Sequence, residues 1–432
     1  MKLASLRPIR HRRFAVLLAA GLVSNIGSWM ERVGVGTLVF KTTGRAVWAT
    51  LVAAATFLPI GVLSPVGGAL ADRLDRRRFL MVTNGVEAGL ATVLAVLAST
   101  GHATPAAVVA VVFCEGCSSA LRVPFQQSLL PDLVPPEDLL GAVALGSAQF
   151  NAGRVVGPAL AALVISVGSF AAAFTVNAVS FFAVIGALAF IGELPRAAGQ
   201  PGEDTLGIWS RIRSGARTGM AEPGCRAAIG LIGLTALLVS PFIALIPAKA
   251  GLLVGQRARA LAAATGLFTT AQGIGAVAGA LALAPLAERL GQRRTLVGGL
   301  VAAPLAAMLF AVAPNVPLTA VALLFLGAGY IAVLSGLSTV VQLRAPAAAR
   351  GRVLSLFFVS LGVLYPIGSV VQGALADRVG FGITVGSGAS LLLLALAGIG
   401  LLRPAVLRAL DPTPPAGRGP VLAVTTVDAA AP

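Results

Sequence analysis

Histidine is nearly missing from this chain: its 432 residues hold two, His11 and His102, and neither falls in an apolar stretch. No imidazole is therefore available as a base or metal ligand inside the apolar regions. Cysteine is scarce as well, with three. Cys114 and Cys117 form a C-x-x-C, but no third or fourth ligand stands near, so they read as small helix-packing residues. The signatures DDxxD, HxxxH and G-x-S-x-G are absent, which argues against a membrane enzyme, and without G-x-x-x-x-G-K-[ST] an ATP-driven pump is disfavoured too. No catalytic residue, metal or cofactor is expected. Charge is the last shortage: 11% of residues are charged, against about 25% in soluble domains.

What fills the chain is apolar, 57% of it hydrophobic with a mean hydropathy of +0.92. Apolar runs of about 20 residues match a hydrocarbon core about 30 Å thick. Twelve such spans are read, at 14–40, 48–71, 79–99, 105–126, 142–167, 170–191, 227–248, 261–286, 295–313, 317–341, 353–376 and 381–402. The first follows five basic residues but is too long for a signal peptide and has no small-residue cleavage site, so it reads as a retained helix. The expected class is an all-α membrane protein lying in a lipid bilayer.

The net charge of +16 would suggest nucleic acid in a soluble protein; its distribution says otherwise. With the N-terminus inside, 23 of the 32 Lys and Arg fall in tails and loops on that side. Six fall on the other (Lys41, Arg45, Lys249, Arg257, Arg259, Arg378) and three inside spans (Arg32, Arg122, Arg154). Such a bias places both termini in the cytoplasm of a multi-pass cell-membrane protein, and no nucleic-acid partner is expected.

The longest polar stretch, 193–226, separates six spans from six. Glu288 to Arg294 after span 8 echoes Asp72 to Arg78 after span 2, and Gln342 echoes Gln127 at a similar offset. Together they suggest a duplicated six-helix unit: a bundle over 1–192, a cytoplasmic linker over 193–226, a second bundle over 227–404 and a flexible tail over 405–432.

Six of the seven residues from Asp72 to Arg78 are charged, between long apolar flanks. The stretch Gly68-Ala-Leu-Ala-Asp72-Arg73-Leu-Asp75-Arg76-Arg77 resembles the loop 2–3 signature of the major facilitator superfamily, with Asp75 where a second Gly normally stands. Gly153-x-x-x-Gly157-Pro158-x-x-Ala161-Ala162 in span 5 resembles that superfamily's antiporter signature, its last two glycines replaced by alanines. SNIGSWMERV (24–33), RVPFQQSLLPDLVPPEDLLGAVAL (122–145) and NAGRVVGPAL (151–160) look similar to the branch of enterobactin and macrolide exporters. The resemblance implies twelve helices in two pseudo-symmetric bundles, spans 1, 4, 7 and 10 lining a cavity, and secondary transport of an amphipathic natural product, siderophore or drug in exchange for protons. An importer of the same fold and a non-transporting receptor stay open. One departure concerns coupling: the Arg that drug antiporters carry in span 4 is Val112 here.

The resemblance assigns gating to Gly68, Asp72, Arg73, Arg76 and Arg77, echoed by Glu288 and Arg289; Asp72 would accept hydrogen bonds from helix N-termini or pair with arginines across the two halves. GALADR recurs at 373–378, where it reads as a coincidence of composition. Ionisable groups within spans are costly and mark functional sites: Glu31, Arg32, Glu87, Glu115, Arg122 and Arg154, with none in the second half. Glu115, with Ser118, Ser119 and Arg122 on one helix face, is the candidate proton carrier beside Arg154; a permanent Glu115–Arg154 ion pair is the alternative. Glu31 and Arg32 are expected toward the end of span 1, able to snorkel. Candidate substrate contacts are Asn25, Trp29, Ser119, Arg122, Gln272, Tyr330 and Tyr365, with Ser335, Phe242, Phe325 and Phe357 nearby. Gly153, Gly157 and Pro158 allow close approach and bending of span 5. A monomer is expected.

Overall fold

The computed structural model of the protein describes residues 4–71, 74–192 and 217–411. Twelve helical spans in it are long and apolar enough to cross a bilayer. In the first half they are α1 (Arg12–Thr43), α2 (Ala46–Ala71), α3 (Arg76–Ser99), α4 (Pro105–Leu129), α5 (Leu139–Val167) and α6 (Phe170–Ile191). The second half begins with a broken span, α7a (Pro223–Leu238) and α7b (Phe242–Val254). It continues through α8 (Ala258–Leu290), α9 (Gln292–Val312), α10 (Val316–Arg344), α11 (Arg350–Val379) and α12 (Phe381–Leu402). Asp72 and Arg73, most of the linker and the tail beyond residue 411 lie outside the described residues.

Local chemistry sets the helix ends. Asp75 caps α3 by accepting from the Arg78 N–H at 2.8 Å, and Ser169 and Asn315 do the same for α6 and α10, each satisfying a donor with no intrahelical partner. Gly44, at φ 65°, ends α1 and lets α2 start two residues later. Large apolar side chains stay outside the folded core, Leu281 at 75% exposure and Val312 at 72%; hydrocarbon, rather than water, is the solvent that tolerates them.

One large core gathers α7a to α12, and smaller ones gather α1 to α6. They merge in one region: Phe40, Ala46 and Ala49 belong to the second half's core and Ala262 to the first half's. All four lie toward the face of the α1–α2 turn, called here the far face; the face bearing the N-terminus is the basic face. The halves meet along antiparallel pairs, α2 on α11 and α5 on α8. Backbones touch there: a Cβ on Gly61 would lie 2.9 Å from the carbonyl carbon of Gly362. Toward the basic face the pairs part. A Cβ on Gly68 would meet nothing within 4 Å, and between α5 and α8 a cavity of about 420 Å³ opens beside Asn151, Ala152, Val155 and Leu281. Among the described residues the halves are sealed at the far face and separate at the basic one.

The break in the seventh span leaves carbonyls unpaired inside the membrane, and α11 satisfies them. Gln372 Nε2 donates to the Leu237 and Leu238 carbonyls at 3.0 and 2.9 Å, and the Ser240 hydroxyl donates to Thr235 O at 3.1 Å. Beyond the break the helix runs on to Val254, which corrects two sequence expectations: Lys249 is not a loop residue, and the second half does contain an interior charge. Lys249 is buried in α7b and donates to the carbonyls of Ala311 and Ala313 at 3.1 and 2.8 Å, closing the end of α9.

Candidate functional site

The buried charges of the first half form two groups. In one, Glu87 of α3 accepts from Arg122 Nε at 3.1 Å and from the Ser119 hydroxyl at 3.3 Å, while Arg122 reaches Gln126 at 3.1 Å. Arg122 and Ser119 are thus held within the bundle, tying α4 to α3. In the other, Glu31 of α1 accepts from Asn177 Nδ2 of α6 at 2.8 Å, and Asn177 is itself braced by Ser180. Glu31 does not snorkel: α1 continues twelve residues past it to Thr43, and its carboxylate is buried and hydrogen-bonded.

Glu115 joins this second group. Its carboxyl lies beside that of Glu31, and its Oε1 is buried without a hydrogen-bond partner. Two carboxyls placed side by side repel when both are charged and can share one proton. The Glu115–Arg154 ion pair does not form among the described residues: Arg154 NH2 instead donates across the seam to Gln272 Oε1 at 3.0 Å.

Around Trp29 the two halves present their polar groups to one another. The guanidinium of Arg32 lies 4.9 Å from the Trp29 ring and that of Arg154 lies 5.9 Å from it. Arg32 also lies over Phe57, which packs edge-on against Tyr365 of α11 with ring centres 5.3 Å apart. Neither arginine has a carboxylate within ion-pair distance among the described residues. Arg154 Nε, Gln272 Nε2 and the Tyr365 hydroxyl are buried and unpartnered. Such atoms are costly unless something meets them. Tyr330 is also buried here, its hydroxyl 3.3 Å from Ser240 at the break in the seventh span.

Of the sequence candidates, then, Trp29, Arg154, Gln272, Tyr330 and Tyr365 come together. Asn25 is engaged in packing: its Nδ2 donates to Gln149 O at 3.1 Å, and the same side chain lies against Gly153. Gly157 admits the backbone of α1 at Ile26, while the Pro158 carbonyl faces Gly266 of α8, so the span 5 motif wedges α5 between two helices. Phe242 and Phe357 are fully buried core, whereas Phe325 is 59% exposed.

The gating candidates divide. Arg76 donates to Ser128 O and Asp132, both at 2.9 Å, and Arg77 to Leu188 O at 2.6 Å, so both close helix ends within the first half. Glu288 and Arg289 are exposed at the end of α8, and Gly68 faces open space. Asp377 belongs to the second GALADR copy, which the sequence alone marks only as a coincidence of composition. Its carboxylate, at the end of α11, accepts from the backbone N–H of Ala46 at 2.6 Å and of Val47 at 3.1 Å, the first turn of α2, with Arg45 Nε 3.6 Å away. The second GALADR copy is therefore a packed structural motif, and its repetition was the signal that could have found it.

Comparison with known proteins agrees with this architecture. The nucleoside transporter NupG superposes with a TM-score of 0.68 at 16% identity, over 90% of this chain and 99% of that one. A POT family transporter in complex with 5-aminolevulinic acid gives 0.71 at 12% identity, over 91% and 96%. Those identities speak for the fold alone. In sequence, the multidrug efflux pump Tap of Mycobacterium tuberculosis is 28% identical over 420 residues, 93% of this chain and 95% of that protein. The staphyloferrin A transporter of Staphylococcus aureus is 30% identical over 161 residues, 37% of this chain and 41% of its own length. The macrolide efflux protein A of Streptococcus pyogenes is 27% identical over 176 residues, 41% and 42%. The family described as transmembrane secretion effector matches residues 3–422. With twelve spans, paired halves and a polar centre at their seam, the chain belongs to that family of major facilitator transporters.

Proposed function

We propose that the protein is a secondary exporter rather than an enzyme, moving an amphipathic small molecule out of the cell at the expense of the proton gradient. The observation that carries this reading is the contact between Glu31 and Glu115 within the bundle whose arginines, Arg32 and Arg154, reach the seam. A pair of neighbouring buried carboxyls able to share a proton, and a seam lined by unpartnered donors, supply the two elements coupling needs. The basic face is cytoplasmic in this reading, as the distribution of Lys and Arg supports, and the chain works as a monomer in the cytoplasmic membrane.

The substrate lies against Trp29, Phe57 and Tyr365, with polar substituents meeting Arg32, Arg154 and Gln272. The names of the efflux relatives support outward transport. Asp72, the residue after α2 in sequence, is assigned the gate of the cytoplasmic face, so Asp72→Asn is expected to abolish flux at near-normal expression.

The test is flux in proteoliposomes with and without an imposed pH gradient. Glu115→Gln and Glu31→Gln are each expected to remove gradient-driven transport while exchange at equal pH survives, since exchange needs the alternation of states but no net proton movement. Gradient-driven transport that persists in both variants would place the proton elsewhere; substrate accumulating only in the opposite sense would make the protein an importer.

A further inference from the structure

The far face is sealed by the sequence stretch that resembles, residue for residue, the one at the opposite end of its partner helix. Residues 68–73 and 373–378 both read GALADR. The described part of the first copy, residues 68–71, ends α2 at the basic face, the second copy ends α11 at the far face, and the two helices run antiparallel against each other. The glycines of the two copies are in opposite situations. Gly68 has open space where a Cβ would be, whereas a Cβ on Gly373 would lie 2.9 Å from the Val47 Cα.

We propose that Asp377, with Gly373, is the latch that holds the far face closed, and that alternation of the transporter requires it to release. The inference rests on the alternating-access reading above. Glycine lets α11 come to backbone contact with α2. At that separation the Asp377 carboxylate reaches both Ala46 N and Val47 N, which have no acceptor within their own helix. A carboxylate at a helix N-terminus is favoured by the aligned peptide dipoles as well. Arg45, whose side chain is 63% exposed, adds a weak, screened contact. Opening the far face pulls α11 from α2 and returns all of these groups to water. The latch therefore weights one state of the pair against the other and leaves each half's own core intact. Gln372, the neighbour of Gly373, holds the carbonyls of the broken seventh span, so movement of this part of α11 also reaches the Ser240–Tyr330 contact at the centre.

The test reads accessibility from both sides of the full-length protein. In a background with Cys114, Cys117 and Cys225 replaced by Ser, single reporters are introduced as Ala49→Cys, in the far-face seam, and Ala152→Cys, beside the cavity at the basic face. A membrane-impermeant maleimide is added to right-side-out and inverted vesicles. Asp377→Asn is expected to speed labelling of the Ala49 reporter from outside by about tenfold or more, the factor that loss of a hydrogen bond to a charged group carries. Labelling of the Ala152 reporter from inside should fall, and Asp377→Glu should keep most of the original pattern. Gly373→Ala, which wedges the same seam without altering charge, is expected to act in the same direction and provides the reading if Asp377→Asn fails to insert. Unchanged outside labelling in a folded Asp377→Asn protein overturns the latch; so does a rise at both reporters, which marks loosening rather than a change of state. A wild type whose reporters never alternate when substrate or pH is varied defeats the transport reading itself, whereas one that alternates but ignores both variants defeats only the latch.

Discussion

Arg154 of α5 donates to Gln272 of α8 at 3.0 Å, a side-chain hydrogen bond that joins the two halves at the depth of Trp29. Because Gln272 is uncharged, the bond holds one formal charge rather than two, and in the proposed cycle it opens as the halves move. Gln272→Glu would replace it with an ion pair of two formal charges, a stronger attraction in so dry a place. Turnover should fall about tenfold or more with binding from the basic face retained; equilibrium binding measured beside flux separates the two, and an unchanged rate would show that this contact is not broken during transport.

Lys249 should matter for stability in the opposite way. Its ammonium is the donor for the Ala311 and Ala313 carbonyls at the end of α9. Lys249→Met keeps the volume and removes that donor, leaving buried acceptors unsatisfied at a cost of roughly 1–3 kcal/mol. Thermal unfolding in detergent followed by intrinsic fluorescence should show a lowered midpoint; Lys249→Arg should lose less.

At the basic face, Glu222 caps α7a, accepting from the Cys225 N–H and from Arg344 Nε at 2.8 Å. Burial pushes its carboxyl up, but these donors outweigh burial and hold it below its ordinary 4.5. A carboxylate with a depressed folded value stabilises fully above its unfolded value, and that stability is lost as pH falls through the folded one. Thermal midpoints measured from pH 7 downward should therefore drop more steeply in wild type than in Glu222→Gln, which starts lower and stays flatter.

The glycines offer a contrast within one molecule. Gly362 lies against Gly61, a Cβ on it falling 2.8 Å from the Gly61 Cα, whereas Gly89 and Gly186 have nothing within 4 Å. Gly362→Ala should push α2 from α11 and destabilise the far-face-closed state. Gly89→Ala and Gly186→Ala, both mid-helix, should leave stability unchanged or raise it by up to about 1 kcal/mol. Comparing thermal midpoints of the three variants checks this; equal effects at all three would contradict the close seam.

The spans and the pairing of halves were legible because a bilayer imposes length and polarity on every segment that crosses it. Depth was harder to read. Glu31 and Lys249 fell at or near span ends only while a charge was taken as the mark of an end; Asn177 supplies the first with a donor and the α9 carbonyls supply the second with acceptors. Helices continue through charges that are satisfied from neighbouring elements, and those neighbours are far away in sequence. The same distance hid Asp377, whose partners at Ala46 and Val47 lie more than three hundred residues earlier. Glu115 was identifiable as a buried acid, but its partner was not: the residue that meets it is another acid, a pairing no rule of opposite charge suggests.

Where α2 meets α11 at Gly61 and Gly362, and α5 meets α8 at Pro158 and Gly266, main chain lies on main chain with almost no side chain between. Surfaces of that kind have no interlocked rotamers to release before they separate and none to re-sort when they return. In the proposed cycle, conversion between the two states then loses little side-chain entropy at these seams, and its speed is left to the few polar contacts that cross them, much as a smooth bearing leaves the resistance to its catches.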